Sequence, residues 1–96
     1  MVVFVNKLTL TGAPDELERI YRGVADFFRT QPGLVRFQLV RSTSDPGVYI
    51  NIAEWEDEAA FRRAVSRDEF RKAVRVGRVS DGDPHLCEVV FTGSPA

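Results

Sequence analysis

Two asparagines and the single tryptophan occupy positions where polar chemistry is unexpected. The segment 48–55 reads VYINIAEW, and its β-branched and aromatic content predicts a strand. Asn51 and Trp55 are four residues apart, so on a strand they share one face at a separation of about 13 Å. That distance suits the two ends of a flat, multi-ring ligand. Asn6 lies in a second predicted strand, 2–10, and shares its even-numbered face with apolar residues.

These amides have two interpretations. An amide on an apolar face costs a few kcal/mol unless it forms hydrogen bonds. The simpler interpretation is that Asn6 and Asn51 are structural and satisfy backbone groups inside the fold. The other is that they form one wall of a ligand site together with Trp55. The residue pattern alone leaves both open.

Composition narrows the class of protein. Ninety-six residues provide one core, so we expect a single domain over 1–96. Thirteen basic and fourteen acidic residues give a net charge of −1, which favours neither nucleic acid nor an anionic membrane as partner. No apolar run is long enough to span a bilayer and the amino terminus does not resemble a signal peptide, so we expect a cytoplasmic protein. Cys87 and His85 are the only residues of their types, too few for a metal site built from Cys and His.

The remaining pattern predicts alternating strands and helices. Pro14 suits the first turn of a helix, and an apolar stripe from Leu17 to Phe28 follows at helical spacing. Gln31, Pro32 and Gly33 should end that helix. Asp57 can cap a second helical region, which Asp68 restarts. The predicted strands are 2–10, 34–41, 48–55 and 86–92. Residues 80–84 are predicted to end the second helical region before the last strand begins.

The order β, α, β, β, α, β is typical of a ferredoxin-like α+β fold, a four-stranded antiparallel sheet with helices on one face. Strands one and three should be central neighbours, which would bring Asn6 close to Asn51. The opposite sheet face carries Val3, Val5, Ile50 and Ile52. An apolar face of that extent usually marks a partner surface, so we expect a homodimer.

At these residues the chain resembles the antibiotic biosynthesis monooxygenase family, whose members form dimeric α+β barrels. The resemblance covers residues 3 to about 75 and is carried by FVNKLTL, GAP, YINIAEW and AFRRA. Members of the similar branch oxidise anthrones to anthraquinones in aromatic polyketide pathways. The resemblance therefore implies a cofactor-independent monooxygenase that uses dioxygen on a polycyclic aromatic substrate, with no metal.

The resemblance also implies residue roles. In this branch the two asparagines and the tryptophan line the active site, which assigns Asn6, Asn51 and Trp55 as catalytic. Some relatives add a pocket tyrosine and an arginine, where this chain has Phe61 and Arg75. We assign these two residues to substrate binding, together with Tyr49 beside Asn51 on the third strand. The absence of a phenol at position 61 leaves a proton relay through that position without support.

Two other functions remain open. The motif NKLTLT in strand one is also similar to the haem-degrading branch of the family, but the places of its ligating His and its helical Trp hold Val74 and Ala64. Haem iron requires an axial His, Cys, Met or Tyr. A non-catalytic binding module is the other alternative, favoured if the side chains of Phe4, Phe61 and Phe70 were to fill the pocket.

Overall fold

The architecture was obtained as a computed structural model, which describes residues 1–75 and 79–96 apart from the side chain of Arg75. Four strands and three helices follow one another in the predicted order. Their bounds are β1 Val2–Leu10, α1 Pro14–Phe28, β2 Leu34–Arg41, β3 Val48–Trp55, α2 Glu58–Val65, α3 Asp68–Arg75 and β4 Ser80–Glu88.

The helix boundaries follow the local signals in the sequence. Pro14 begins α1, where its missing N–H leaves no unsatisfied donor. Asp57 caps α2, because its Oδ1 accepts a hydrogen bond from the backbone N–H of Ala60 at 2.8 Å. Gly33 lies between α1 and β2 with a φ of 89°, in the left-handed region that favours glycine. A Cβ at position 33 would also lie only 2.5 Å from that of Ala60.

The four strands form one antiparallel sheet in the order β2, β3, β1, β4, as expected for the ferredoxin-like fold. The central strands β1 and β3 pair along their length, with Asn6 directly opposite Asn51 and Val5 directly opposite Ile52. Directly opposed residues lie on the same side of an antiparallel sheet. The two amides therefore share one face, and the predicted apolar residues share the other.

The helices cover the face that carries the two amides. Val24 and Phe28 of α1 pack with Ala53 and Trp55 of β3 in the main core, and Ala60, Phe61 and Ala64 of α2 complete it. The opposite face has no helix over it, and Val3, Val5, Ile50 and Ile52 on it are only partly buried. The predicted division of the sheet into a covered and an uncovered face is confirmed.

The prediction for the last strand was wrong in its bounds. β4 begins at Ser80, six residues before the predicted start, and ends at Glu88 instead of Thr92. Its one neighbour in the sheet is β1, whose first paired residue, Val2, lies opposite Glu88, so later residues have no partner on that strand. Pro84 is tolerated within β4 because an edge strand leaves one side of its backbone unpaired.

Among the described residues, no helix combines the length and the apolar character that crossing a bilayer requires. The cytoplasmic location stays a prediction.

Candidate functional site

A cavity of about 250 Å³ lies between the covered face of the sheet and the helices. Its lining is mostly aliphatic and aromatic, and α1, α3, β1, β3 and β4 all contribute to it. The polar side chains among the described lining residues are Asn6, Asn51, Tyr21 and Ser80. An apolar cavity with a few convergent polar groups is the usual form of a small-molecule site.

Asn51 projects into this cavity from the middle of β3. Only 7% of its surface is exposed, and it is the one buried polar residue among the described part of the chain. Its Oδ1 accepts a hydrogen bond of 2.7 Å from the hydroxyl of Tyr21 on α1. Tyr21 also lines the cavity, and burial raises the pKa of Tyr21 to about 12. Tyr21 therefore keeps its proton at neutral pH and acts as a donor to the amide.

Asn6 is fixed from the opposite side by the edge strand. Its Oδ1 accepts a hydrogen bond of 2.9 Å from the backbone N–H of Asp83. A Cβ at position 82 would lie 3.2 Å from that oxygen, so Gly82 leaves room for the amide beside β4. A backbone N–H can only donate, so the atom of Asn6 that it contacts is the oxygen and not the NH₂ group.

The two amides share one feature, although their hydrogen-bond donors differ. Each oxygen accepts from a protein donor, and no described residue accepts from either Nδ2. Both asparagines line the cavity from opposite positions of neighbouring strands. Two neutral amides at opposed positions in the wall of an apolar cavity can stabilise negative charge that develops on a bound oxygen.

Trp55 does not line this cavity. It is fully buried in the core, with Phe28 and Phe61 packed edge-on against its ring at centroid distances of 5.5 and 6.0 Å. Its Nε1 has no hydrogen-bond partner among the described residues. The expectation that Trp55 shares a wall with Asn51 is corrected, because α2 and the end of α1 cover this end of the strand and separate it from the cavity.

Phe61 and Tyr49 are likewise absent from the cavity wall. Phe61 packs against Phe4 with ring centroids 4.9 Å apart, as well as against Trp55, so it supports the core behind the site. Tyr49 is 3% exposed, and its hydroxyl donates to the carboxylate of Glu18 on α1 at 2.6 Å. That bond and burial raise the pKa of Tyr49. In this structure Tyr49 anchors α1 to β3 and does not contact the cavity.

Arg75 is the last residue of α3, and its side chain lies outside the described residues. The neighbouring Val74 lines the cavity.

Two parts of the site were missing from the sequence prediction. Tyr21 was assigned to the apolar stripe of α1, although a buried tyrosine hydroxyl normally requires a partner and Asn51 required one as well. The need of both side chains for a hydrogen-bond partner was the signal in the sequence that could have paired Tyr21 with Asn51. The second part is the backbone N–H of Asp83, which lies in a segment predicted to end a helix and in fact donates a hydrogen bond to the Asn6 side chain. No side-chain pattern reveals such a backbone donor.

The fold and the cavity together define a small α+β protein with a largely apolar cavity between its sheet and its helices. Residues 1–76 match the family described as antibiotic biosynthesis monooxygenase. The chain therefore belongs to this family, and the predicted family is confirmed.

Individual relatives agree with this assignment. Deoxynogalonate monooxygenase of Streptomyces nogalater is 45% identical over 69 residues, which is 72% of this chain and 58% of that protein. The chain thus matches less than two thirds of the length of this curated relative. A mutant of SnoaB, a cofactor-independent oxygenase from the same organism, is 38% identical with a TM-score of 0.90, and the match covers 95% of this chain and 94% of SnoaB.

A relative with a bound porphyrin shares the fold at a lower identity. A mutant of MhuD with two manganese protoporphyrin IX molecules per active site is 26% identical, with a TM-score of 0.80. That match covers 99% of this chain and all of the other.

Proposed function

We propose that the protein is a cofactor-independent monooxygenase that oxidises an anthrone, or a related polycyclic intermediate of an aromatic polyketide, to the quinone with dioxygen. The observation that carries the proposal is the pair of amides. The oxygens of Asn6 and Asn51 both accept hydrogen bonds from the protein, their NH₂ groups have no acceptor among the described residues, and both side chains line an apolar cavity. Similarity to SnoaB and to deoxynogalonate monooxygenase supports the reaction class.

The chemistry requires the protein to stabilise one anion. The anthrone carbon opposite the carbonyl loses a proton, and the electron pair of that C–H bond delocalises onto the carbonyl oxygen as an enolate. Amide donors directed at this oxygen stabilise it by about 2.7 to 4 kcal/mol each when water is excluded. Asn6 and Asn51 are assigned this role. The apolar residues of the cavity hold the rings and exclude water.

Dioxygen is then reduced by the substrate. The enolate transfers one electron to dioxygen, and the two radicals combine to form a C–O bond, which gives a peroxide on that carbon. The remaining hydrogen on the carbon leaves as a proton while the O–O bond breaks, and water is released as the second carbonyl forms. One oxygen atom enters the quinone and the other becomes water. The described cavity wall offers no His or carboxylate as base, so water or a substrate phenolate accepts the first proton.

A homodimer belongs to the same proposal. Val5 and Ile52 are opposed on the uncovered sheet face, with Val3 and Ile50 beside them. A second copy that packs face to face would remove this apolar surface from water and would close the dimeric α+β barrel of the family.

The two alternatives receive less support. A plugged binding module would require Phe4, Phe61 and Phe70 to fill the cavity, but Phe61 lies in the core and the cavity remains. The similarity to MhuD favours haem as a ligand, but the position of the ligating His is Val74, which contributes an aliphatic wall. Tyr21 is the described cavity residue of an iron-ligating type, and its raised pKa disfavours the phenolate that iron would bind.

Oxygen uptake with anthrone itself tests the proposed reaction. The purified protein, treated with a chelator and without added flavin or nicotinamide, should consume one dioxygen per anthrone above the spontaneous rate and release anthraquinone. Isotopically labelled dioxygen should deliver one labelled atom to the quinone. Activity that appears only after flavin, a nicotinamide or iron is added would contradict the cofactor-independent reaction and leave the fold untouched.

A further inference from the structure

We propose that Tyr21 is a positioning residue that holds the Asn51 amide with its N–H groups turned toward the cavity. The kinetic part of this inference rests on the proposed function, whereas its structural part does not. The inference begins from the chemistry of a primary amide, whose two ends have similar shapes but opposite hydrogen-bonding character. Rotation of the amide by half a turn would replace the donor at the cavity wall with an acceptor.

Among the described residues, Tyr21 is the group whose hydrogen bond can set the orientation of the Asn51 amide. Asn6 lies directly opposite, on the neighbouring strand β1. Its own oxygen already accepts a hydrogen bond from the backbone N–H of Asp83. Asn6 is therefore fixed by a group that can only donate. Tyr21 is the described partner of Asn51, and its hydroxyl donates to Oδ1 at 2.7 Å. The oxygen of Asn6 thus accepts a hydrogen bond from a backbone donor, whereas that of Asn51 accepts one from a side-chain donor.

A hydroxyl can in principle either donate or accept, so the direction of this bond matters. A flipped Asn51 amide would direct its oxygen at the cavity, beside the site of the developing enolate oxygen. The amide oxygen would then repel the enolate oxygen, whose negative charge the site is proposed to stabilise. The raised pKa of Tyr21 keeps its proton in place at neutral pH, so the donor direction is available throughout the ordinary range.

The helix position of Tyr21 suits this function. Val24 and Phe28 follow on the same helix face and are buried in the core, which fixes α1 against the sheet. Leu17 and Ile20 line the cavity on the preceding turn. Val24 and Phe28 also line the cavity, so Tyr21 lies within the cavity-lining face of a packed helix, from which its hydroxyl reaches Asn51.

Tyr21→Phe removes this donor and keeps the ring, and Tyr49→Phe is the matched control. Both tyrosines form one hydrogen bond between α1 and β3, at 2.7 and 2.6 Å, but that of Tyr49 is directed to Glu18, away from the cavity. A merely structural role would give the two variants the same effects. Loss of a typical hydrogen bond changes a population by about fivefold, so kcat should fall by about fivefold in Tyr21→Phe and stay unchanged in Tyr49→Phe. KM for anthrone should change little in either.

A double-mutant cycle shows whether Tyr21 acts through Asn51. In a chain that already carries Asn51→Ala, Tyr21→Phe should have no further effect on kcat, because the group that it positions is gone. A full, independent fall in kcat in the double variant would overturn the positioning role. So would equal falls in Tyr21→Phe and Tyr49→Phe.

Side-chain amide NMR tests the structural part without turnover. The two Asn51 NH₂ signals, identified by their loss in Asn51→Ala, should shift and broaden in Tyr21→Phe and stay unchanged in Tyr49→Phe. Unchanged Asn51 signals in Tyr21→Phe would overturn the inference even in a fully active enzyme. If the wild-type protein does not oxidise anthrone but these signals respond as expected, the proposed reaction fails and the positioning of Asn51 by Tyr21 stands.

Discussion

Tyr21 and Tyr49 donate hydrogen bonds in opposite directions across the same interface. Tyr21 extends from α1 to Asn51 on β3, and Tyr49 extends from β3 to Glu18 on α1. The two bonds tie the helix to the strand beside the cavity. They also place both tyrosines of the chain in environments that hold the phenol proton.

Alkaline titration should therefore differ between the folded and the unfolded protein. An unperturbed tyrosine ionises near pH 10. Burial raises the pKa of Tyr21 to about 12, and the hydrogen bond to Glu18, with burial, raises that of Tyr49. The ultraviolet absorbance of phenolate at pH 10 should therefore be smaller in the folded protein than in denaturant. Equal absorbance in the two states would contradict these environments.

The same shifts predict how stability depends on pH. Because the raised pKa values belong to the folded state, the unfolded chain releases its phenol protons first. The contribution of Tyr21 to the free energy of unfolding should be complete below about pH 10 and be lost as the pH rises through about 12. Tyr49 should contribute in the same direction. Urea unfolding as a function of pH measures this decline. Tyr21→Phe should reduce it, because phenylalanine does not ionise.

Trp55 should behave as a core residue. Trp55→Ala should lower the free energy of unfolding by about 3 to 5 kcal/mol, since a fully buried ring is removed from between two phenylalanines. Trp55→Phe should cost less, because it keeps a ring and removes an N–H that has no described partner. Urea unfolding followed by circular dichroism gives both values. A Trp55→Phe variant with wild-type stability and no turnover would instead support the catalytic role implied by the family resemblance.

The uncovered sheet face should be a dimer interface. Ile52→Asp introduces a charge at the centre of this face, opposite Val5, and should produce a monomer. Ala59→Asp, on the exposed side of α2, adds the same charge elsewhere and should leave the assembly unchanged. Sedimentation velocity at micromolar concentration distinguishes the species. A wild-type protein that is monomeric under these conditions would refute the homodimer.

Much of the fold could be predicted because local signals agreed with the tertiary structure. Strict alternation defined β1 and β3, and the apolar stripe of α1 fixed which of its faces meets the sheet. β4 was placed incorrectly because an edge strand takes its bounds from its partner. Residues 80–84 contain Asp, Gly and Pro, which indicate a turn locally, yet the backbone of β1 provides the hydrogen bonds that hold them in a strand.

The site was predicted only in part, for a related reason. The spacing of Asn51 and Trp55 correctly placed both on one strand face, but spacing does not show where a helix covers that face. Phe28 and Phe61 close over Trp55, whereas Asn51 remains at the cavity. Tyr21 comes from a distant part of the chain, thirty residues before Asn51, and only the folded structure brings the two together.

The proposal that the two amides act on developing charge is tested most directly by Asn51→Ala. Truncation should lower kcat for anthrone by about tenfold to a thousandfold, as expected for the loss of one oxyanion donor. The dissociation constant for anthraquinone should change little, because the lost interaction forms with the enolate and not with the neutral rings. Asn6→Ala should likewise lower kcat with little change in the dissociation constant. The effects of the two substitutions need not add. A variant that binds anthrone and anthraquinone equally weakly but keeps the wild-type kcat would contradict the account.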